Sequence, residues 1–385
     1  MEIGFIGLGK LGSECAKVMA EKHNVYGYDI DEREIEGVKI CDKIEDTVIG
    51  KDFTFIAVQT PHHKDYDGSQ PTSFLPPKDF DYSMIIDVLK QIQNIKSDSI
   101  ITLISTVLPG TIRREFRKYI NPYRFIYNPY LIAMGTVEYD MKNPEMIIIG
   151  NDAGEKDKIE KLISFYQTIS NCDRYIIGTW DEAESIKIFY NTFISMKLAF
   201  TNMILDVAEA NGNIDTDVVM KALTESTMRL ISPMYMKAGM GDGGPCHPRD
   251  NIALSSLAKR LRLGYDLFKE IMTTREKQAS NLASKLRSFK KPVVILGKSY
   301  KSNVDLIDGS YSMLIGYYLQ KKGTLCYYDK EPNKTGPFTY LLGHRHRFND
   351  YDFINGSTIV DPWGECLEYP GCELVRYGRT RFWEI

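Results

Sequence analysis

Three short stretches of the chain carry residue types at spacings that could do chemistry. The first is Gly7-Leu8-Gly9-Lys10-Leu11-Gly12, a GxGxxG run directly after the apolar stretch Ile3–Ile6. Gly7 permits a tight turn, Gly9 lets a pyrophosphate approach the backbone, and Gly12 lets the next helix pack on the strand; the helix N-terminus then faces the phosphates. A second apolar stretch ends at Tyr28-Asp29, at the distance (about 20 residues) where a carboxylate takes the ribose hydroxyls and repels a 2′-phosphate. The reading is NAD rather than NADP, held by Gly7, Gly9, Lys10, Leu11, Gly12 and Asp29, with Asp31 as the alternative carboxylate.

The second stretch is Glu182 to Asn191, in which Lys187 and Asn191 stand four apart and so project from one face of a helix. By itself such a lysine reads as a solvated surface residue. The third is Gly243-Gly244-Pro245-Cys246-His247-Pro248-Arg249-Asp250. Two glycines before a cysteine make a loop that a ligand can approach, and the prolines stiffen it. A cation placed before that thiol would raise its thiolate fraction, but spacing alone leaves open whether Lys187 meets Cys246. The seven cysteines are scattered, odd in number and without a CxxC pair. That is the pattern of a reducing compartment without a zinc site, and six of the seven read as structural.

Elements must hold these stretches in place. Apolar runs at Ile3–Ile6, Val25–Tyr28, Phe53–Ala57, Ile100–Ile104, Arg124–Tyr127, Met146–Ile149 and Tyr175–Ile177 predict strands, and Tyr82–Ile95 and Glu155–Thr168 predict helices between them. Alternation of this kind implies a mostly parallel sheet covered on both faces. The segment from Pro61 to Phe80 is long for a loop and reads as a flap near a site. Asp181–Ala210 predicts one long helix whose apolar positions spread wide enough for burial on more than one side, either in a core or at a subunit interface. After Lys291-Pro292 the pattern returns to strand and helix: Val293–Leu296, Ser310–Lys321, Leu325–Tyr328, Thr358–Val360 and Leu374–Arg376. The expected domains are 1–178, 179–288 and 289–385.

Composition narrows the class. Of 385 residues, 43% are hydrophobic and 26% charged, with net charge −3, so the chain can build large cores, and no dense basic run marks a nucleic-acid surface. No apolar run approaches the ~20 residues of a membrane span, and the N-terminus runs straight into a strand instead of a basic leader. The expectation is a cytoplasmic protein without nucleic-acid or membrane partners.

Taken in order, these motifs and several others resemble the UDP-glucose/GDP-mannose dehydrogenase family over nearly the whole chain. The further matches are Val58-Gln59-Thr60-Pro61, Ser105-Thr106-Val107-Leu108-Pro109-Gly110-Thr111, Asn128-Pro129, Asn143-Pro144, Ile149-Gly150, Ala183-Glu184, Arg229, and Gly297 with Lys301, Asp305 and Ser310. The resemblance implies an α/β fold of two Rossmann-like domains, joined by a long helix and a helical dimerisation region, in a homodimer. It implies NAD-dependent oxidation of a nucleotide sugar's primary alcohol to a carboxylate, with UDP-glucose as the default substrate. Cys246 would attack the intermediate aldehyde to form a thiohemiacetal, whose oxidation gives a thioester that water releases as the uronate. Lys187 and Asn191 would stabilise the oxyanion and Asp250 would move a proton or order water. Thr60, Pro61, Ser105 and Thr106 would lie along the cofactor, with Thr106 beside a bound water. Tyr130, Gly243, Lys301 and Arg229 would contact substrate, the last reaching the neighbouring subunit's site.

The chain departs from the family at particular positions. Tyr130 and Met134 stand where two glutamates are usual, the first commonly the base for thioester hydrolysis. Either Asp250, Glu138 or Glu145 takes over, or the sugar differs there, or hydrolysis is slow or absent. Asp308 replaces an arginine that contacts cofactor, and Leu306 replaces an aspartate. Two rival readings follow: a two-electron dehydrogenase of the hydroxyacid type, which gives Cys246 no role, and a nucleotide-sugar binder without catalysis.

Overall fold

A computed structural model describes residues 1–378 except 62–70, 73, 74, 77, 134, 233, 235–237, 243, 245, 303, 333, 334, 346, 347, 349 and 350, with Arg249 and Ala253 described by backbone alone. The chain forms two compact units, Met1–Lys197 and Leu198–Glu384.

The first unit runs β1 (Glu2–Ile6), α1 (Lys10–Ala20), β2 (Asn24–Tyr28), β3 (Val38–Ile40), β4 (Phe53–Ile56), α2 (Ser83–Ile92), β5 (Ile100–Leu103), β6 (Phe125–Tyr127), α3 (Val137–Lys142), β7 (Ile147–Gly150), α4 (Lys156–Ile169) and β8 (Tyr175–Gly178). Its sheet has the order β3-β2-β1-β4-β5-β6-β7-β8. Neighbours are parallel except β6 and β7, which pair antiparallel. The central strands read as near-continuous apolar runs because helices cover both faces: β4 is Phe-Thr-Phe-Ile and every residue in it is buried, the Thr54 hydroxyl donating to the Thr47 carbonyl. Successive side chains point to opposite faces. Phe53 and Phe55 join Phe5 and Phe165 in one core, while Ile56 joins Ile6, Ile85 and Leu103 in the other. Each such side chain contributes about 1.5–3 kcal/mol of burial. Strand order reverses between β1 and β4, which opens a crevice at their C-terminal ends.

The remaining elements are α5 (Trp180–Asn211), α6 (Thr216–Thr224), α7 (Cys246–Leu261), α8 (Leu267–Ser288), β9 (Val293–Leu296), α9 (Tyr311–Lys321), β10 (Cys326–Tyr328), β11 (Thr339–Leu342), β12 (Thr358–Asp361) and β13 (Glu373–Arg376). The second sheet is parallel throughout, in the order β10-β9-β11-β12-β13. Ala279, Leu282, Ala283 and Leu286 recur at helical spacing along α8 and pack with Ile315 and Leu319 of α9 on Val293, Ile295 and Leu341. That contact places much of the helical stretch in one compact unit with the C-terminal sheet, so the three composition regions form two units. A central strand, β11, and an edge strand, β3, were outside the sequence expectation; β3 carries Lys39 and is largely exposed, so it shows no apolar run. Of the flap expected between Pro61 and Phe80, residues 62–70, 73, 74 and 77 lie outside the described residues.

Candidate active site

The crevice at β1 and β4 is a cleft of about 470 Å³ lined by Gly7, Gly9, Tyr28, Asp29, Arg33, Val58 and Gln59, among others. The glycines do three different jobs. Gly7 has φ of +95°, and a Cβ there would lie 2.8 Å from the Ala57 carbonyl carbon. A Cβ at Gly12 would lie 1.9 Å from the Gly7 oxygen, so only glycine lets α1 sit this close to the strand. At Gly9 the nearest atom to a Cβ is Gln59 Nε2 at 4.0 Å, which leaves the space open toward the cleft. Helix α1 begins next to it, and no side chain among the described residues caps its first N–H groups, the condition for an anion site. Asp29 is fixed at the end of β2. Its Oδ2 accepts from Leu8 N at 2.6 Å and its Oδ1 from Asp31 N at 3.0 Å. Arg33 pairs with Asp31 at 2.9 Å and lies 3.9 Å from Asp29. Open glycine face, uncapped helix and anchored carboxylate together fit a dinucleotide. Lys10 is exposed and Leu11 half-buried on the first turn of α1.

Loops after β4 and β5 are stitched together beside the cleft. Thr60 Oγ1 donates to the Thr106 carbonyl at 2.9 Å and Ser105 Oγ to the Val58 carbonyl at 2.5 Å. The Pro61 carbonyl accepts from Asp81 N at 3.0 Å. The expected cofactor residues Thr60, Pro61, Ser105 and Thr106 therefore form one group. Behind them Glu184 of α5, fully buried, accepts main-chain N–H bonds from Gly110 and, at 2.8 Å, Ile112. Burial outweighs those bonds and pushes its carboxyl up to about 7. Sequence reasoning included Glu184 in a motif but gave it no task. Its partners lie more than 70 residues away.

Lys187, one turn along α5, is the chief surprise against its bland reading as a surface lysine. It is only 9% exposed, and its Nζ donates to the Tyr130 carbonyl at 2.6 Å. Among the described residues no carboxylate pairs with it. Desolvation lowers its pKa. Asn191 is exposed on the same helix. Tyr130 meets Lys187 through its main chain, while its side chain turns inward. The Tyr166 hydroxyl bridges the Tyr130 hydroxyl, 2.9 Å away, and the Asn128 amide oxygen, and burial drives the Tyr130 hydroxyl pKa well up. The phenol that replaces a glutamate therefore offers no base here. Glu138 is tied to Lys142 at 2.8 Å, and Glu145 accepts from the Tyr190 hydroxyl at 2.9 Å.

In the second unit Cys246 is exposed and is the first residue of α7. The expected loop ends at the thiol. Asp250, exposed, follows four residues later and shares its helix face. Two residues before the thiol, Asp242 and Gly244, are held by other elements. Arg275 of α8, buried, donates through Nε to Asp242 Oδ1 at 2.5 Å and through Nη2 to the carbonyls of Asp242 and Gly309 at 3.2 and 3.0 Å. Gly309 packs on Gly244 so closely that a Cβ would lie 2.0 Å from the Gly244 oxygen. Arg229, Lys301 and Asp308 are exposed. Gly243 and Met134 lie outside the described residues. The described residues contain no cluster of His, Cys, Asp and Glu that could hold a metal.

Comparison with known proteins shows the family. Residues 39–170 match the NAD binding domain of the UDP-glucose/GDP-mannose dehydrogenase family, and residues 181–277 match its central domain. The chain is 30% identical over 330 residues to a putative UDP-glucose 6-dehydrogenase of Bacillus subtilis, covering 82% of this chain and 73% of the relative. It is 29% identical over 356 residues to UDP-glucose 6-dehydrogenase of Campylobacter jejuni, covering 83% and 84% of the two chains. A crystal structure of a ternary complex of GDP-mannose dehydrogenase from Pseudomonas aeruginosa shares the fold, with a TM-score of 0.81, 22% identity, and coverage of 97% of this chain and 99% of that one.

Proposed function

The chain belongs to the UDP-glucose/GDP-mannose dehydrogenase family, and from that premise we propose that it oxidises the primary alcohol of a nucleotide sugar, by default UDP-glucose, to the uronate through a covalent intermediate on Cys246. It is an NAD-dependent oxidoreductase. Bound NAD supplies the hydride acceptor for each of two oxidations. The observation that carries the reading is the buried ammonium of Lys187, held by a carbonyl and lacking a carboxylate partner among the described residues. A fixed cation in a dry setting stabilises an oxyanion far better than one in water.

The residues then have distinct tasks. Gly7, Gly9 and the start of α1 bind pyrophosphate, and Asp29 orients the ribose. The Cys246 thiolate adds to the aldehyde carbon, giving a tetrahedral thiohemiacetal from which a second hydride leaves more readily than from a free aldehyde. Lys187 and Asn191 stabilise the oxygen of that adduct. Asp250 moves a proton or orders water. Tyr130 takes part through its carbonyl, and Gly243, Lys301 and Arg229 contact substrate. The helical stretch 179–288 serves dimerisation, supported by the exposed Phe193, Met196 and Leu198 on α5. Residues 289–385 bind the nucleotide. The homodimer is cytoplasmic, a reading supported by seven free cysteines. No helix among the described residues is long and apolar enough to cross a membrane.

The test is NADH formed per sugar consumed, with UDP-glucose, GDP-mannose and UDP-N-acetylhexosamines limiting against excess NAD. Two NADH and a free uronate support the proposal, as does loss of the second oxidation in Cys246→Ala. One NADH per turnover, unchanged in that variant, would establish a two-electron enzyme instead. Binding without any NADH would establish a binder.

A further inference from the structure

We propose that His247 is a catalytic residue of the hydrolytic half-reaction, oriented by Asp242 to take a proton from the water that releases the uronate from Cys246. The inference rests on the function proposed above and assigns the hydrolytic base to His247, leaving Asp250 to order the water or move a proton in the oxidations. The need is specific to this chain. The side chain at the glutamate position, Tyr130, is turned into the core with its hydroxyl on Tyr166. Glu138 and Glu145 are engaged by Lys142 and Tyr190.

His247 immediately follows the reactive cysteine on the first turn of α7, and its side chain is 57% exposed. Its Nδ1 lies 3.6 Å from Asp242 Oδ2. The other oxygen of the same carboxylate is held by the buried Arg275 at 2.5 Å, and that guanidinium also grips the Asp242 carbonyl at 3.2 Å. Asp242 is therefore fixed at both its side chain and its main chain. A carboxylate fixed opposite Nδ1 favours the tautomer with its proton on Nδ1 and leaves the Nε2 lone pair as the acceptor, the logic of an orienting acid behind a base. The 3.6 Å separation is an ion-pair distance, longer than a hydrogen bond. Such contacts commonly tighten when substrate closes the site.

In the step itself Nε2 of His247 takes one proton from water while the water oxygen bonds to the thioester carbon. Collapse of the tetrahedral adduct breaks the carbon–sulfur bond. The Cys246 thiolate leaves and takes the proton back from the imidazolium, and the uronic acid ionises into solvent. No electrons pass to or from the cofactor. Asp242 acts as a positioning residue through His247, and Arg275 through Asp242.

The experiment follows NADH by stopped flow and Cys246 by intact-protein mass spectrometry in wild type, His247→Gln, Asp242→Asn and Cys246→Ala. His247 is exposed, so its loss leaves the fold in place. In His247→Gln the expected result is a burst near two NADH per site, then turnover slowed about 10²–10⁴-fold, with a uronyl adduct on Cys246. Asp242→Asn should keep the burst and slow turnover about 10- to 100-fold, a split that loss of fold would not give. Wild-type turnover in His247→Gln without an adduct, or loss of the burst itself, overturns the assignment. Wild-type protein that makes no uronate from any of the sugars overturns the dehydrogenase reading, and this inference with it.

Discussion

Both sheets open with a strand that ends in a glycine at positive φ, +95° for Gly7 and +101° for Gly297. In both, the neighbouring strand leads to an aspartate that accepts main-chain N–H groups of that turn. Asp29 takes Leu8 N at 2.6 Å, and Asp329 takes Gly297 N and Lys298 N at 2.8 and 3.1 Å. Beyond that point the two turns part. After Gly7 the chain enters α1 at once, and no described side chain caps the helix. After Gly297 it runs to Ser310, whose hydroxyl accepts from Met313 N at 3.3 Å and closes the first turn of α9. Gly309, just before that cap, packs against Gly244. One turn stays open toward the cleft, and the other is closed by its own chain, with Gly309 against Gly244. A glycine–aspartate turn is thus no sufficient sign of a dinucleotide site.

The sharpest way to break this comparison is to fill the open turn. Gly9→Val should reduce NAD affinity by at least about 10³-fold, roughly 4 kcal/mol, as measured by calorimetry. The melting temperature should hardly move, because among the described residues the nearest atom to a Cβ at Gly9, beyond its chain neighbours, is Gln59 Nε2 at 4.0 Å. Retained NAD binding in that variant would move the cofactor elsewhere.

Next in size is a pH effect confined to the first unit. Its buried acceptor is a carboxylate, Glu184, whereas α9 is capped by a neutral hydroxyl. With the Glu184 carboxyl raised from 4.5 to about 7, the folded protein holds a proton that the unfolded chain releases from about pH 4.5 upward. Stability should fall as pH rises through that window, by up to about 3 kcal/mol. Glu184→Gln should flatten the slope of stability against pH in urea titrations, with a pH-independent offset from the disturbed N–H contacts. An unchanged slope would exclude Glu184 as its source.

Smaller again is the contrast between the two aspartates. Asp29→Ala should weaken NAD about 10- to 100-fold, the loss of charge-assisted bonds worth roughly 1.5–3 kcal/mol. Asp329→Ala should leave NAD affinity alone and destabilise the second unit. Equal effects on NAD from the two would dissolve the distinction. The least effect is expected from Ser310→Ala, about 1 kcal/mol of stability for a lost cap, with NAD affinity untouched and the change read from thermal melts.

Much of the cofactor half was legible. GxGxxG after an apolar run and an aspartate at the next strand's end are local signals, and Gly7, Gly9 and Asp29 line the cleft at β1 and β4. Most strands of both sheets, though not β3 and β11, showed as apolar runs because burial on two faces leaves little room for polar residues. Cys246 was legible as a candidate thiol, but its place at the start of α7 was not, since the flanking prolines and glycines read as loop.

What the sequence by itself determined is therefore what adjacent residues settle among themselves: the turns that need glycine, the strand and helix periods, the match to a dehydrogenase family, and the absence of a glutamate at position 130. What only the tertiary structure decided is burial and partnership. Lys187 has the spacing of a solvated residue, yet packing places its ammonium on the Tyr130 carbonyl. Tyr130 could have faced the site, but Tyr166, 36 residues on, draws its hydroxyl into the core. Glu184 caps a turn more than 70 residues before it, and Arg275 reaches back 33 residues to fix Asp242 beside His247. A side chain's charge and proton affinity depend on the solvent and partners around it, and residues far apart in the chain supply those only once it has folded.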